Sequence, residues 1–310
     1  MNYLILTPDG VGSTILQRIL TMCLYMEGVK VSNTHELTNG LELKNGLAKK
    51  NSDLQYTQDL FQITDILKQS LGDTVLVSRL AKYHMDIRED PTDAQKHFYD
   101  FLNKHFDKII MCERKNIFEY ALSWSIRQKS GVINVYDKTD KAKVLAVSHV
   151  DEDYFLKKCK EYVNYTKWIE QYFPNKEKVT YEQMLTESDA VLEKFTGYQN
   201  SFKNKFGSHL SDIIKYEYDA FKYLTNKDKN VLNKEQIISL TKYRVLAKTM
   251  LEKKIIVSMP LKNTTLRDKQ TQIKNFGACL NKFYTFAKEH NWIDQSMATF
   301  DFWDNTHVSN

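Results

Sequence analysis

The sequence predicts an α/β fold: a three-layer α/β/α arrangement with a parallel sheet of about five strands and extra C-terminal helices. Three observations lead there. Short apolar or β-branched runs alternate with long helical patterns through roughly the first 185 residues, which is how βαβ units read. Only 10 Gly and 4 Pro punctuate the 310 residues, too few for the many tight turns of a sandwich or barrel. A content of 42% hydrophobic and 12% aromatic residues supplies a sizeable core, which excludes a disordered or fibrous chain.

The runs Tyr3–Thr7, Val29–Ser32, Thr74–Ser78, Lys108–Cys112 and Lys178–Thr180 are the predicted strands. Between the first two, Ile15, Leu16, Ile19, Leu20, Cys23 and Leu24 recur at helical spacing and Gly28 closes the segment, so Ser13–Glu27 is the first helix. Further helices are expected over Asp59–Ser70, Pro91–Phe106, Asn116–Lys129 and Asp151–Tyr172, the second of these with Asp90 as N-cap and Pro91 as its first residue. Beyond Gly197 the strand signals fade. Helical patterns remain over Leu210–Tyr223, Lys234–Glu252 and Leu266–His290, and Ile255–Ser258 is one apolar run that fits a strand. The polar stretch Thr225–Lys234 is the best linker candidate, but it holds neither proline nor glycine. Residues 1–310 are therefore read as a single domain, a core over 1–224 with a mainly helical extension over 225–310 packed on it.

Forty-four Lys and Arg against 39 Asp and Glu give a net charge of +5, which permits an anionic partner but lacks the clustering of a nucleic-acid binder. Cys23, Cys112, Cys159 and Cys279 form no CxxC or Cys/His spacing, so they read as buried free thiols in a reducing cytoplasm rather than as metal ligands or disulfides. The apolar run Tyr3–Leu6 is cut off by Pro8 and Asp9, too short for a signal peptide. No run reaches the ~18 apolar residues that a membrane span needs.

Two segments carry chemistry. After the first strand, Thr7-Pro8-Asp9-Gly10-Val11-Gly12-Ser13-Thr14 is a glycine-containing turn that runs straight into the first helix. Glycines let the backbone pass close to a ligand, a helix start presents N–H groups, and Ser13 and Thr14 add hydroxyls, so the loop can hold an anion. The same residues also fit a plain strand-to-helix turn capped by Ser13. At the fourth strand, Cys112 leads into Glu113-Arg114-Lys115-Asn116, with Ser123 two turns into the next helix. A cation at a strand end and such a serine can grip a phosphate from two sides. Alternatively, Arg114 is a salt-bridge partner and Ser123 a small residue at a helix contact.

Together these segments resemble the PAPS-dependent sulfotransferases. Pro8 to Thr14 is similar to that family's first-strand loop P-x-[RK]-[ST]-G-[ST]-T with one extra residue, and Arg114 with Ser123 matches its Arg and Ser for the 3′-phosphate. The run Arg114-Lys115 through Ala121-Leu122-Ser123-Trp124 and Arg127-Gln128-Lys129-Ser130-Gly131 resembles the bacterial trehalose 2-sulfotransferase branch most. Val179-Thr180-Tyr181-Glu182-Gln183-Met184-Leu185, followed by Phe195-Thr196-Gly197, is similar to the family's v-x-Y-E-x-L segment and its later F-L-G. These segments, in the family's order, span about two-thirds of the chain. The resemblance implies a P-loop-like fold with 1–224 as a nucleotide-binding core. It implies PAPS or PAP as cofactor, held by Gly10, Val11, Gly12, Ser13, Thr14, Arg114 and Ser123, and no metal.

One departure is plain: the loop's basic residue is missing, and Asp9, Gly10 and Val11 stand there instead. Arg79, in the Ser78-Arg79-Leu80-Ala81-Lys82-Tyr83-His84 run where family members carry a K-T-H-like segment, is the first candidate to supply that cation. Lys262, before the last helix, is a further candidate for the nucleotide, although the family's R-K-G-x-x-G-D-W-K segment is not recognisable there. The attacking hydroxyl needs a base, and Glu36 lies just past the second strand where related enzymes place a catalytic Glu, with His35 and His84 behind it. The C-terminal aromatics, among them Tyr216, Phe283, Phe286 and Trp303, fit either a core or a sugar-binding groove.

The expected activity is sulfuryl transfer from PAPS to a hydroxyl of a carbohydrate or other small acceptor. A non-catalytic sulfotransferase-like protein, of the kind bacteriophages encode, is the first alternative, with the host cytoplasm as its location. A P-loop kinase or NTPase is the second, weakened by the lack of a loop lysine and of a Walker B carboxylate. Neither a nucleic acid nor a membrane is an expected partner.

Overall fold

The structure is a computed structural model, and it describes residues 1–8, 10–34, 37, 60–72, 74–81, 90–133, 138–217, 232–253, 255–256 and 266–290. The chain forms two compact units, one made of Met1–Glu113 with Tyr165–Ser258, the other of Arg114–Asn164 with Met259–Asn310.

The first unit is built on a five-stranded sheet: β1 (Tyr3–Thr7), β2 (Val31–Thr34), β3 (Val75–Ala81), β4 (Lys108–Glu113) and β5 (Glu177–Thr180), in the order β2-β3-β1-β4-β5. Every pairing is parallel. Parallel strands need helical crossovers and are buried on both faces, which explains why their sequences read as continuous apolar runs. Leu4, Leu6, Leu76, Leu80, Ile109 and Met111 alternate onto one face. There they join Ile63 and Leu67 of α2 (Leu60–Ser70), Phe98 and Leu102 of α3 (Asp93–His105), and Trp168 and Ile169 near the end of α6 (Glu152–Tyr172). The intervening residues Tyr3, Ile5, Val77 and Arg79 turn to the other face, on the side of α1 (Ser13–Met26), whose Gln17 donates to the Val77 carbonyl at 3.2 Å.

Around this sheet, α7 (Tyr181–Thr186), α8 (Ser188–Thr196), α9 (Ser201–Phe206), a helix over 210–217 (α10) and α11 (Lys234–Glu252) complete the described part of the unit. The three-layer α/β/α class is the one the sequence predicts. Several bounds differ for local reasons. β2 starts at Val31 because the Val29 N–H is used to close α1 on the Leu24 carbonyl. β3 runs on to Ala81 because it pairs along the whole of β1, with Arg79 opposite Ile5. α3 is capped by Thr92, not Asp90: the Thr92 hydroxyl accepts from the Gln95 N–H while the Gln95 side chain accepts from the Thr92 N–H. Ile255 and Ile256 donate back to the Met250 carbonyl at the end of α11, so those two residues close a helix and form no strand.

The second unit contains α4 (Ile117–Ser130), α5 (Lys138–Leu145), the first part of α6, α12 (Leu266–Gln272) and α13 (Phe276–Glu289). Its core centres on Phe118, whose ring meets Phe155, Phe276 and Phe283 edge-on at centroid distances of 5.3, 5.1 and 5.6 Å. The single helix expected over Leu266–His290 is two. Residues 273–275 between them are pinned elsewhere: the Lys274 N–H donates to the Ser148 carbonyl, and the Asn275 amide both accepts from the Val150 N–H and donates to its carbonyl. Phe283 and Phe286 belong to the core, not to a groove. All four cysteines are free and buried. Among the described residues, no helix is long and apolar enough to cross a membrane.

Candidate functional site

β1 ends at Thr7, and Gly10 and Gly12 both take positive φ, 71° and 80°, to turn the chain into α1. Gly12 is the N-cap, its carbonyl accepting from Ile15 and Leu16, so Ser13 is the first helical residue and its hydroxyl does not cap. A side chain at position 12 has no room: a Cβ there would stand 2.6 Å from Cδ2 of the Tyr181 ring and 3.2 Å from the Met184 methyl. The buried Cys112 thiol donates to the Val11 carbonyl at 3.3 Å. Burial pushes this thiol's pKa up, so it stays protonated and acts as a donor. Tyr165 then ties two strand ends, accepting from the Thr7 N–H and donating to the Leu80 carbonyl.

Arg79 sits on the α1 face of the sheet and is 6% exposed. Its Nη1 donates to the Ser13 hydroxyl at 3.0 Å and to the Thr14 hydroxyl at 2.7 Å. The alternation of β3 is what aims it there, since Val77 and Arg79 share a face while Ser78 and Leu80 share the other. A guanidinium, two hydroxyls and a glycine turn thus converge at the start of one helix, a combination suited to an anion's oxygens.

A second polar cluster lies in the other unit. Arg114 follows β4 directly, and its backbone is fixed by Tyr162, whose hydroxyl accepts from the Arg114 N–H at 2.8 Å and donates to its carbonyl at 3.0 Å. Asn116 caps α4 by accepting from the Glu119 N–H. Arg114 Nη2 lies 2.6 Å from Glu119 Oε2, and Lys269 Nζ of α12 lies 2.8 Å from both Glu119 Oε1 and Ser123 Oγ. Arg114, Glu119 and Lys269 are 8%, 8% and 4% exposed. Burial alone would raise the Glu119 carboxyl, but the Arg114 guanidinium and the Lys269 ammonium outweigh it and hold it down at about 2. Lys269 is lowered from its ordinary value: burial and the neighbouring Arg114 and Arg127 guanidiniums outweigh the one carboxylate.

Gly10, Val11, Gly12, Ser13 and Thr14 therefore stand together with Arg79, and Arg114 with Ser123. His35, Glu36, His84, Lys262 and Asp9 lie outside the described residues. The sequence alone does not single out Glu119 or Lys269. Glu119 offered a faint signal as the third residue of a capped helix, whereas Lys269 is 146 residues from Ser123 and offered none. Among the described residues no group of three His, Cys, Asp or Glu could hold a metal ion. No family model matches the chain, and no curated protein is significantly similar to it.

Proposed function

We propose that this protein is a cytoplasmic sulfotransferase that moves a sulfuryl group from PAPS to a hydroxyl of a carbohydrate or other small acceptor. In the family that the sequence resembles, the loop after the first strand receives the 5′-phosphosulfate, and the Arg–Ser pair the 3′-phosphate. The acceptor oxygen forms a bond to sulfur as the bond from sulfur to the 5′-phosphate oxygen breaks. The acceptor proton passes to a base, with Glu36 the first choice and His35 or His84 the others, and PAP leaves with the bonding electrons.

The observation that carries this reading is the Arg79 guanidinium on the Ser13 and Thr14 hydroxyls. The loop lacks its own cation, and charge on the bridging oxygen grows as the S–O bond breaks, so a cation is needed at that place most in the transition state. Arg79 supplies it from the adjacent strand.

A thermal-shift panel of PAP, PAPS, ADP and ATP, the last two with and without Mg²⁺, tests the reading. PAP at about 100 times its Kd stabilises the protein by ~2.7 kcal/mol without magnesium, and Arg79→Ala lowers turnover more than PAP affinity. Selective stabilisation by ATP with Mg²⁺ would make it a kinase or NTPase, and silence towards every nucleotide a non-catalytic relative.

A further inference from the structure

The cluster around Arg114 contains a carboxylate where an anion-binding site has least use for one. Both Glu119 oxygens are engaged by cations, one by Arg114 at 2.6 Å and the other by Lys269 at 2.8 Å. These are the cations that a phosphate would need, beside the Ser123 hydroxyl that Lys269 also touches. We propose that Glu119 is a resident counter-anion of this cluster: it holds Arg114 and Lys269 assembled while the site is empty, and a phosphomonoester dianion must displace it to bind. The inference rests on the reading above that Arg114 and Ser123 receive the donor's 3′-phosphate.

The physics favours exchange over coexistence. Without Glu119, Arg114 and Lys269 would lose the carboxylate they share while the Arg127 guanidinium stays in range of Lys269, a costly change in a low-dielectric interior. With a phosphate bound and Glu119 still in place, carboxylate and phosphate oxygens would repel at short range. A dianion brings twice the charge of the carboxylate and can take over both cations, whereas a monoanion only matches it. The exchange asks for a side-chain rotation alone, because the Glu119 backbone N–H stays tied to Asn116 Oδ1 at 2.8 Å. Ser123 is prepared for the same event: its hydroxyl donates to the Glu119 carbonyl at 2.7 Å and presents its lone pairs to Lys269. Glu119 thereby sets which anions enter, selecting a terminal phosphate over singly charged groups.

Isothermal titration of wild type and Glu119→Gln with PAP and with adenosine 5′-phosphate, which has a hydroxyl in place of the 3′-phosphate, is the test. Glu119→Gln keeps the shape and removes the competing charge. It is expected to melt lower than wild type without ligand, to bind PAP ~10-fold tighter, and to bind adenosine 5′-phosphate unchanged. Glu119→Asp, too short to hold both cations, gives an intermediate gain in PAP affinity and serves if the Gln variant does not fold. A brace without a role in ligand exchange would lower stability and leave PAP affinity equal or weaker; either result overturns the inference while PAP binding by wild type keeps the sulfotransferase reading. No PAP binding by any of the three proteins overturns both.

Discussion

Arg79 and Arg114 are both buried arginines near the carboxyl end of a parallel strand, 6% and 8% exposed. Arg79 gives its Nη1 hydrogens to two neutral hydroxyls of the first helix. Arg114 gives Nη2 to a carboxylate that it shares with a lysine. Partners of the first kind are replaceable, because a hydroxyl left behind carries no charge. Partners of the second kind are mutually dependent, because removing one strands an ion in a poorly hydrated place. A guanidinium laid on hydroxyls beside a glycine turn suits the binding of an anion, and a guanidinium that shares a carboxylate suits a site in which something must first move away.

The largest test of this contrast is truncation of each arginine. Arg114→Ala strands Glu119 on Lys269 alone and is expected to cost roughly 3–5 kcal/mol in urea unfolding, whereas Arg79→Ala, which gives up the bonds to Ser13 and Thr14, is expected to cost less. Equal costs would erase the distinction between the two sites.

Acid titration comes next. The Glu119 carboxyl titrates at about 2 when folded, below its ordinary 4.5, so its contribution is complete above about pH 4.5 and is lost as the pH falls towards 2. That contribution is roughly 3 kcal/mol, and urea unfolding between pH 5 and 2 should show it disappear. Glu119→Gln should flatten this limb, while Arg79→Ala should leave it as in wild type.

The smallest effect probes the geometry that Arg79 serves. Gly12→Ala must hold φ near 80° and push Tyr181 aside, a strain of roughly 1–3 kcal/mol. Adding Tyr181→Ala should return part of that loss by removing the contact, though not the part that belongs to the backbone.

The legibility of the chain follows from how far apart the determining residues lie. β1, with bounds Tyr3–Thr7, and α11, with bounds Lys234–Glu252, are spelled out by continuous apolar runs or by local caps such as Asn233 with Gln236, and the sequence reading places both where they stand. Errors occur where a remote group decides. Asn275 breaks the last helical pattern by bonding Val150, 125 residues away, which no periodicity could display. The short helices α7 to α9, six to nine residues each, fall below the length at which a 3.6-residue period becomes recognisable. The anion loop shows the same division. Its glycines and hydroxyls are contiguous, and Arg79 could be chosen because the resemblance points to the segment after the third predicted strand, whereas in the second cluster Lys269 lies 146 residues from Ser123.

The four buried thiols fall two to each compact unit, Cys23 and Cys112 in the first and Cys159 and Cys279 in the second. Burial raises the pKa of every one of them, most strongly at Cys112 and Cys159, so each is shielded from electrophiles both by access and by its protonation. The protein therefore carries an internal record of its own breathing. A thiol becomes alkylated only at the moment its surroundings open, and peptide-level readout of which pair reacts first gives the order in which the two units come apart.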